Sequence, residues 1–435
     1  MTLPVIVLLA LIVVKFAAST WLDVLNMRCV RAHSGEVPAP FRKFTDLAAY
    51  KKAVAYTIDK TKFSIVEDAC MAVFLAVVLA LWILPSMFDF GMDVFGVSIW
   101  GQALTLIFMA IVLSLPEVPF ELYSQFVIEQ EYGFNKSTLG LWISDKIKGA
   151  IIGIIFGAPI LALILWFSQE LPNTWWIWGF AAVALFQVLM IIVYPRLILP
   201  IFNKVQDLPE GELKTKLIEL ADKGGFKASA IQVIDGSRRS SHSNAFFTGF
   251  GRFRRIMLYD TLIEQLSPTE IEAVLAHEIG HYKKGHILKM MAMSFAMTFL
   301  TFAIMGWLSK SEWFYLGFGF CEASGFGPVL LMYSMFSGLF TFWLTPLLNA
   351  FSRKNEYEAD RFAASLCGSG EPLCAALEKL HKENLGNLTP HTLYSAFHYS
   401  HPTLVERVDA ISGFKKKLIL LSNRLDLYFL RRFLY

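Results

Sequence analysis

The sequence predicts a mainly α-helical, polytopic membrane protein with a small α+β domain that carries a metal motif. Three observations predict it. The 435 residues are 55% hydrophobic and 17% charged, with a mean hydropathy of +0.50, which leaves too little polar surface for a water-soluble protein of this length. Seven apolar stretches are long enough to cross about 30 Å of hydrocarbon at about 1.5 Å per helical residue. One run, His277-Glu278-Ile279-Gly280-His281, ends an amphipathic segment just before one of those stretches.

The expected spans are Thr2–Leu22, Ser64–Ser86, Val97–Leu115, Ala150–Ser168, Trp175–Tyr194, Leu288–Leu308 and Phe326–Ala350. The first lacks the basic start of a secretory signal and holds Lys15, so it reads as a retained span. A lysine at a helix centre costs about 2.5 to 3.5 kcal/mol on insertion scales, which directs Lys15 toward protein or water, or makes it snorkel. Between spans the charge alternates. Asp23–Phe63 carries Arg28, Arg31, Arg42, Lys43, Lys51, Lys52, Lys60 and Lys62, whereas the next link offers only Asp89 and Asp93. By the positive-inside rule the N-terminus lies outside, and the C-terminus and metal motif lie on the cytoplasmic side.

Four segments follow: a membrane part at 1–200, a catalytic insert at 201–287, the last two spans at 288–352, and a cytoplasmic C-terminal segment at 353–435. With a net charge of +3 and no long basic run ahead of the tail, nothing points to a nucleic-acid partner. The tail, Lys415–Tyr435, mixes cations with Leu, Phe and Tyr and reads either as an interfacial helix on anionic lipid or as a packed terminus. Five scattered cysteines with no paired CxxC spacing read as reduced thiols, Cys367 and Cys374 included.

Within the insert, Ile231–Ile234 and Arg255–Tyr259 read as strands. Ser267-Pro268-Thr269-Glu270 then opens a helix, with serine as N-cap, proline first inside and glutamate closing a capping box. Ile271, Val274, Leu275 and Ile279 form its apolar stripe, while His277 and His281, at i and i+4, share another face and reach one metal. Glu278 is placed as general base for a water. A catalytic zinc site uses three protein ligands and an open position, so a third must come from elsewhere. Glu356 and Asp360 stand at i and i+4 just beyond the last span: one carboxylate serves as ligand, the other fixes a histidine tautomer. Glu358 faces elsewhere on such a helix, and His286, five residues after His281, is turned away from the ligand face.

Four blocks together resemble the CAAX prenyl protease 1 family: the His-Glu-x-x-His helix, Ser352–Asp360, Gly236–Phe246 and Ile128–Thr138. They run through most of the chain in the family's order. The resemblance implies a gluzincin endopeptidase with one zinc on His277, His281 and Glu356, and Glu278 as general base. It also implies seven helices around a water-filled chamber, and a substrate cleft beside His242, Asn244 and Ala245. His401, in Ser400–Arg407, corresponds to a family histidine that approaches the metal and stabilises the oxyanion. The partners so implied are a peptide or protein substrate, prenylated in the family's case, and membrane lipids; the chain is expected to act as a monomer. A basic Asp23–Phe63 loop and a C-terminus without a retrieval signal favour a bacterial inner membrane, the endoplasmic reticulum being the alternative. Two rival functions use the same residues: a quality-control peptidase of the heat-shock type, and a non-catalytic membrane scaffold in which zinc is structural. A fourth protein ligand would mark the scaffold; an open position beside Glu278 marks the enzyme.

Overall fold

The computed structural model describes residues 1–226, 230–248, 255–321 and 324–413; the basic tail lies outside the described residues. Among them are seven helices long and apolar enough to cross a membrane: Leu3–Ala32, Leu47–Ala80, Ile99–Tyr132, Leu139–Glu170, Trp175–Phe202, His286–Leu308 and Gly327–Cys367. Each contains or overlaps an expected span, and most run well past its ends. Hydropathy marks only the part that lipid must solvate, whereas a helix continues wherever its backbone bonds are kept. The seventh is the consequential case, because its last stretch, Thr345–Cys367, carries the whole Ser352–Asp360 block without a break.

The chain divides into two compact units. The first comprises Met1–Val24, Asp59–Phe202 and Met290–Thr345. Its core is built from Phe88, Leu106, Met109, Leu165, Trp175, Phe302, Val329 and Phe336. Lys15 is paired here, its Nζ lying 3.7 Å from Asp68 Oδ1, so the charge inside the first span meets protein. The Ile128–Thr138 block closes a turn in the same unit. Asn135 Nδ2 donates to Gln130 Oε1 at 3.0 Å, and the backbone N–H groups of Phe134 and Asn135 donate to Glu129 O at 2.7 and 3.0 Å. Tyr132 Oη donates to Asp59 Oδ2 at 2.7 Å, tying the turn to the second span.

The second unit gathers Leu25–Ile58, Asn203–Lys289 and the residues from Pro346 on. Its sheet has the order β1-β2-β4-β3, with β1 Val205–Asp207, β2 Ala230–Ile234, β3 Ala245–Thr248 and β4 Arg255–Tyr259. β2 and β4, the two strands expected from sequence, lie side by side and parallel, while β1 and β3 flank them antiparallel. The helix Pro268–Lys283 begins at the expected capping box, with both reciprocal bonds present. Its Ile271, Leu275 and Ile279 are buried among Leu217, Leu220, Ile256, Leu258, Ala363 and Leu373, which anchors the helix between the sheet side and the helix that carries the carboxylates. Each such apolar side chain contributes about 1.5 to 3 kcal/mol when fully buried, so the position of His277 and His281 is set by the opposite, packed face of their own helix.

Candidate active site

His277 and His281 both turn Nε2 inward, 3.1 Å apart, and Glu356 reaches the same point from the facing helix. Its Oε2 lies 3.3 Å from His277 Nε2, and its Oε1 lies 3.2 Å from His281 Nε2. The three potential ligand atoms all fall within 4.8 Å of one another. Two helices meet closely enough for this because of Gly280. A Cβ there would sit 3.0 Å from Ala359 Cα and 3.1 Å from Ala359 O, and Ala359 itself is fully buried. The glycine inside the metal motif therefore sets the distance between the two ligand-bearing backbones. Gly280→Ala is expected to separate them, destabilise the fold by about 1 to 3 kcal/mol and weaken metal binding. Thermal unfolding and a zinc titration check this, and an unchanged affinity would mean that the helix spacing is not limiting.

Each of the two histidines is also held from behind. His277 Nδ1 donates to Asp360 Oδ1 at 2.8 Å, and Arg407 grips the same carboxylate at both oxygens, through Nη2 at 2.6 Å and Nε at 2.9 Å. Asp360 and Arg407 are buried, so this charge-assisted fork is screened little by water. In the sequence Arg407 stands only as the last residue of the Ser400–Arg407 block, with no local signal of its own. Burial works against the His277 imidazolium, but its bond to Asp360 and the facing Glu356 carboxylate more than offset that, and the pKa rises to about 9. The Glu278 carboxyl is pushed up by burial, with His277 and His281 pulling it down.

The donor set fits a divalent cation. Glu356 Oε2 is buried without a hydrogen bond, and the two Nε2 atoms each face one oxygen of that carboxylate across the cluster. Around Arg407 gather the carboxylates of Asp360, Glu356 and Glu278, three negative groups against one guanidinium, which a charge of two would balance.

His401 reaches the same cluster from the C-terminal segment, Nε2 standing 3.5 Å from Glu356 Oε1 with its side chain 63% exposed. His242 is half-buried and its Nδ1 bonds Asn384 Oδ1 at 2.9 Å; Asn244 is exposed and Ala245 opens β3, the last strand of the sheet. His286 departs from expectation. The metal helix ends at Lys283, Gly285 takes a left-handed φ of 66°, and a new helix begins at His286. The angular argument for a residue five places on assumes a continuous helix; the break returns His286 to His281, Nδ1 to Nδ1 at 3.1 Å, with Glu358 on its far side. Other histidines serve local roles: His391 Nδ1 accepts from Leu393 N at 3.3 Å and His398 stacks on Tyr394. All five cysteines are free thiols.

Comparison with known proteins identifies the family. Residues 26–204 match the family model described as CAAX prenyl protease N-terminal, five membrane helices, and residues 207–415 match that of peptidase family M48. CAAX prenyl protease 1 of Saccharomyces cerevisiae is 37% identical, the alignment covering 88% of this chain and 90% of that one. The chain belongs to the CAAX prenyl protease 1 family. The Arabidopsis thaliana homolog is 37% identical, covering 93% of this chain and 96% of its own length, and the human homolog is 30% identical over 87% and 89%. The crystal structure of S. mikatae Ste24p superposes with a TM-score of 0.87 at 33% identity, covering 94% of this chain and 99% of that one. As a member of this family the chain is a multi-pass membrane metallopeptidase, and the possible metal ligands are His277, His281 and Glu356. The relatives named here are all eukaryotic, so they lend the bacterial placement no support.

Proposed function

We propose that this chain is a zinc endopeptidase that hydrolyses a peptide bond near a prenylated C-terminal cysteine. The observation that carries the reading is the convergence of His277 Nε2, His281 Nε2 and Glu356 within 4.8 Å, beside a Glu278 that is not one of the three. Among the described residues no fourth ligand joins this group, which supports catalysis over a structural zinc. Bound zinc would supply a Lewis acid that polarises the scissile carbonyl and brings the pKa of water to about 7. Glu278 takes the proton of the attacking water and delivers it to the leaving amine; a carboxyl that burial raises above its usual range suits both directions of transfer. His401, exposed at the cluster, offers an N–H to the developing oxyanion. Asp360, held by Arg407, keeps the His277 proton on Nδ1 and its Nε2 lone pair free.

The substrate would lie extended along β3, past His242 and Asn244, adding a strand at Ala245 where the sheet ends. All these groups come from one chain, so a monomer suffices. Prenylation enters from the names of the relatives, which also favour a eukaryotic internal membrane such as the endoplasmic reticulum, with the basic segments cytoplasmic. The test is to incubate the purified enzyme with prenylated and unprenylated forms of one peptide and map the products by mass spectrometry. Cleavage of the prenylated form alone, next to its cysteine, is expected. Equal cleavage of both would defeat the prenyl-specific reading and favour a quality-control role.

A further inference from the structure

The helix Thr345–Cys367 carries three carboxylates at alternate positions, and the zinc reading gives work to only two of them. Glu356 is a ligand and Asp360 holds His277. Glu358 is turned aside from both, yet its Oε2 lies 3.1 Å from His286 Nε2, and His286 Nδ1 lies 3.1 Å from His281 Nδ1. His286 has no exposed surface, so neither of its nitrogens can turn to water instead. Lys289 Nζ stands 3.7 Å from the same Glu358 oxygen.

We propose that His286 and Glu358 are positioning residues that hold His281 in the tautomer and orientation needed to bind the metal. This rests on the reading of His281 as a zinc ligand. Each proton assignment then forces the next. A ligand Nε2 must offer a lone pair, so the His281 proton sits on Nδ1 and is donated to His286 Nδ1. His286 accepts there and therefore carries its own proton on Nε2, which it donates to Glu358, a group that can only accept when ionised. On the Nδ1 side, His277 meets a carboxylate directly, whereas His281 Nδ1 reaches one only through a second imidazole. Without that relay, His281, whose side chain is 18% exposed against 9% for His277, is free to rotate or to take the other tautomer.

The test measures zinc affinity by chelator competition on the full chain in detergent, for the wild type, His286→Leu, His286→Gln, Glu358→Leu and the His286→Leu/Glu358→Leu pair. His286→Leu is expected to lose about 10- to 100-fold in affinity, the usual cost of removing such a partner. His286→Gln should recover most of it, since its carbonyl can accept from His281 and its amide can donate to Glu358. Glu358→Leu should weaken binding in the same direction, and the pair should be no weaker than His286→Leu alone, because both act through one chain of bonds. Wild-type affinity in His286→Leu, or equal losses in the Leu and Gln variants, overturns the proposal, the latter by reducing His286 to packing. Should His286→Leu fail to fold, unchanged affinity in Glu358→Leu overturns it instead. A wild type that holds no stoichiometric zinc sinks the metal site itself, which is a separate result.

Discussion

Glu278→Gln is expected to retain one zinc per chain while losing roughly 10² to 10⁴ in turnover, the usual contribution of a general base. The substitution keeps the shape of the side chain and leaves the ligand atoms of His277, His281 and Glu356 untouched. What it removes is the capacity to take and return a proton. The carboxyl sits in a buried setting that pushes its pKa up, so the amide fits sterically and fails chemically. Elemental analysis together with rates on a cleavable peptide separates the two effects. Full activity in this variant would remove Glu278 from the mechanism.

Loss of the metal itself is the expected result for His277→Ala and for Glu356→Ala. In the first, one imidazole goes and Asp360 with Arg407 is left facing a void; in the second, the carboxylate that spans both histidines goes. Two remaining ligands hold zinc too weakly to survive purification, so elemental analysis should find it well below one per chain. Stoichiometric zinc in either variant would take that residue out of the ligand set.

How much of this was legible in the sequence depended on how local each signal was. The capping box at Ser267–Glu270 is a contact between residues three apart, and it was readable because helix geometry alone determines it. The i and i+4 pairs, His277 with His281 and Glu356 with Asp360, were readable for the same reason. His286 was not. Its role turns on a helix that stops at Lys283 and a left-handed Gly285, and the surrounding Lys-Lys-Gly reads equally well as a helix surface. Glu358 was lost with it, since a carboxylate two places from a ligand has no meaning until its partner histidine is located. Arg407 was hidden differently: it is 47 residues from Asp360, and nothing local marks an arginine as half of a buried fork.

By itself, then, the sequence determined that the chain has seven stretches apolar and long enough to cross a membrane, where the helix of the His-Glu-x-x-His run begins, and which two imidazoles share its face. These follow from hydropathy, 3.6-residue periodicity and capping, all of which act over a few turns of one helix. Only the tertiary structure decided which carboxylate faces the two Nε2 atoms and which residues stand behind the two imidazoles. That choice is made where the backbones at Gly280 and Ala359 come into contact, and a contact between segments about eighty residues apart leaves no period in the sequence to read.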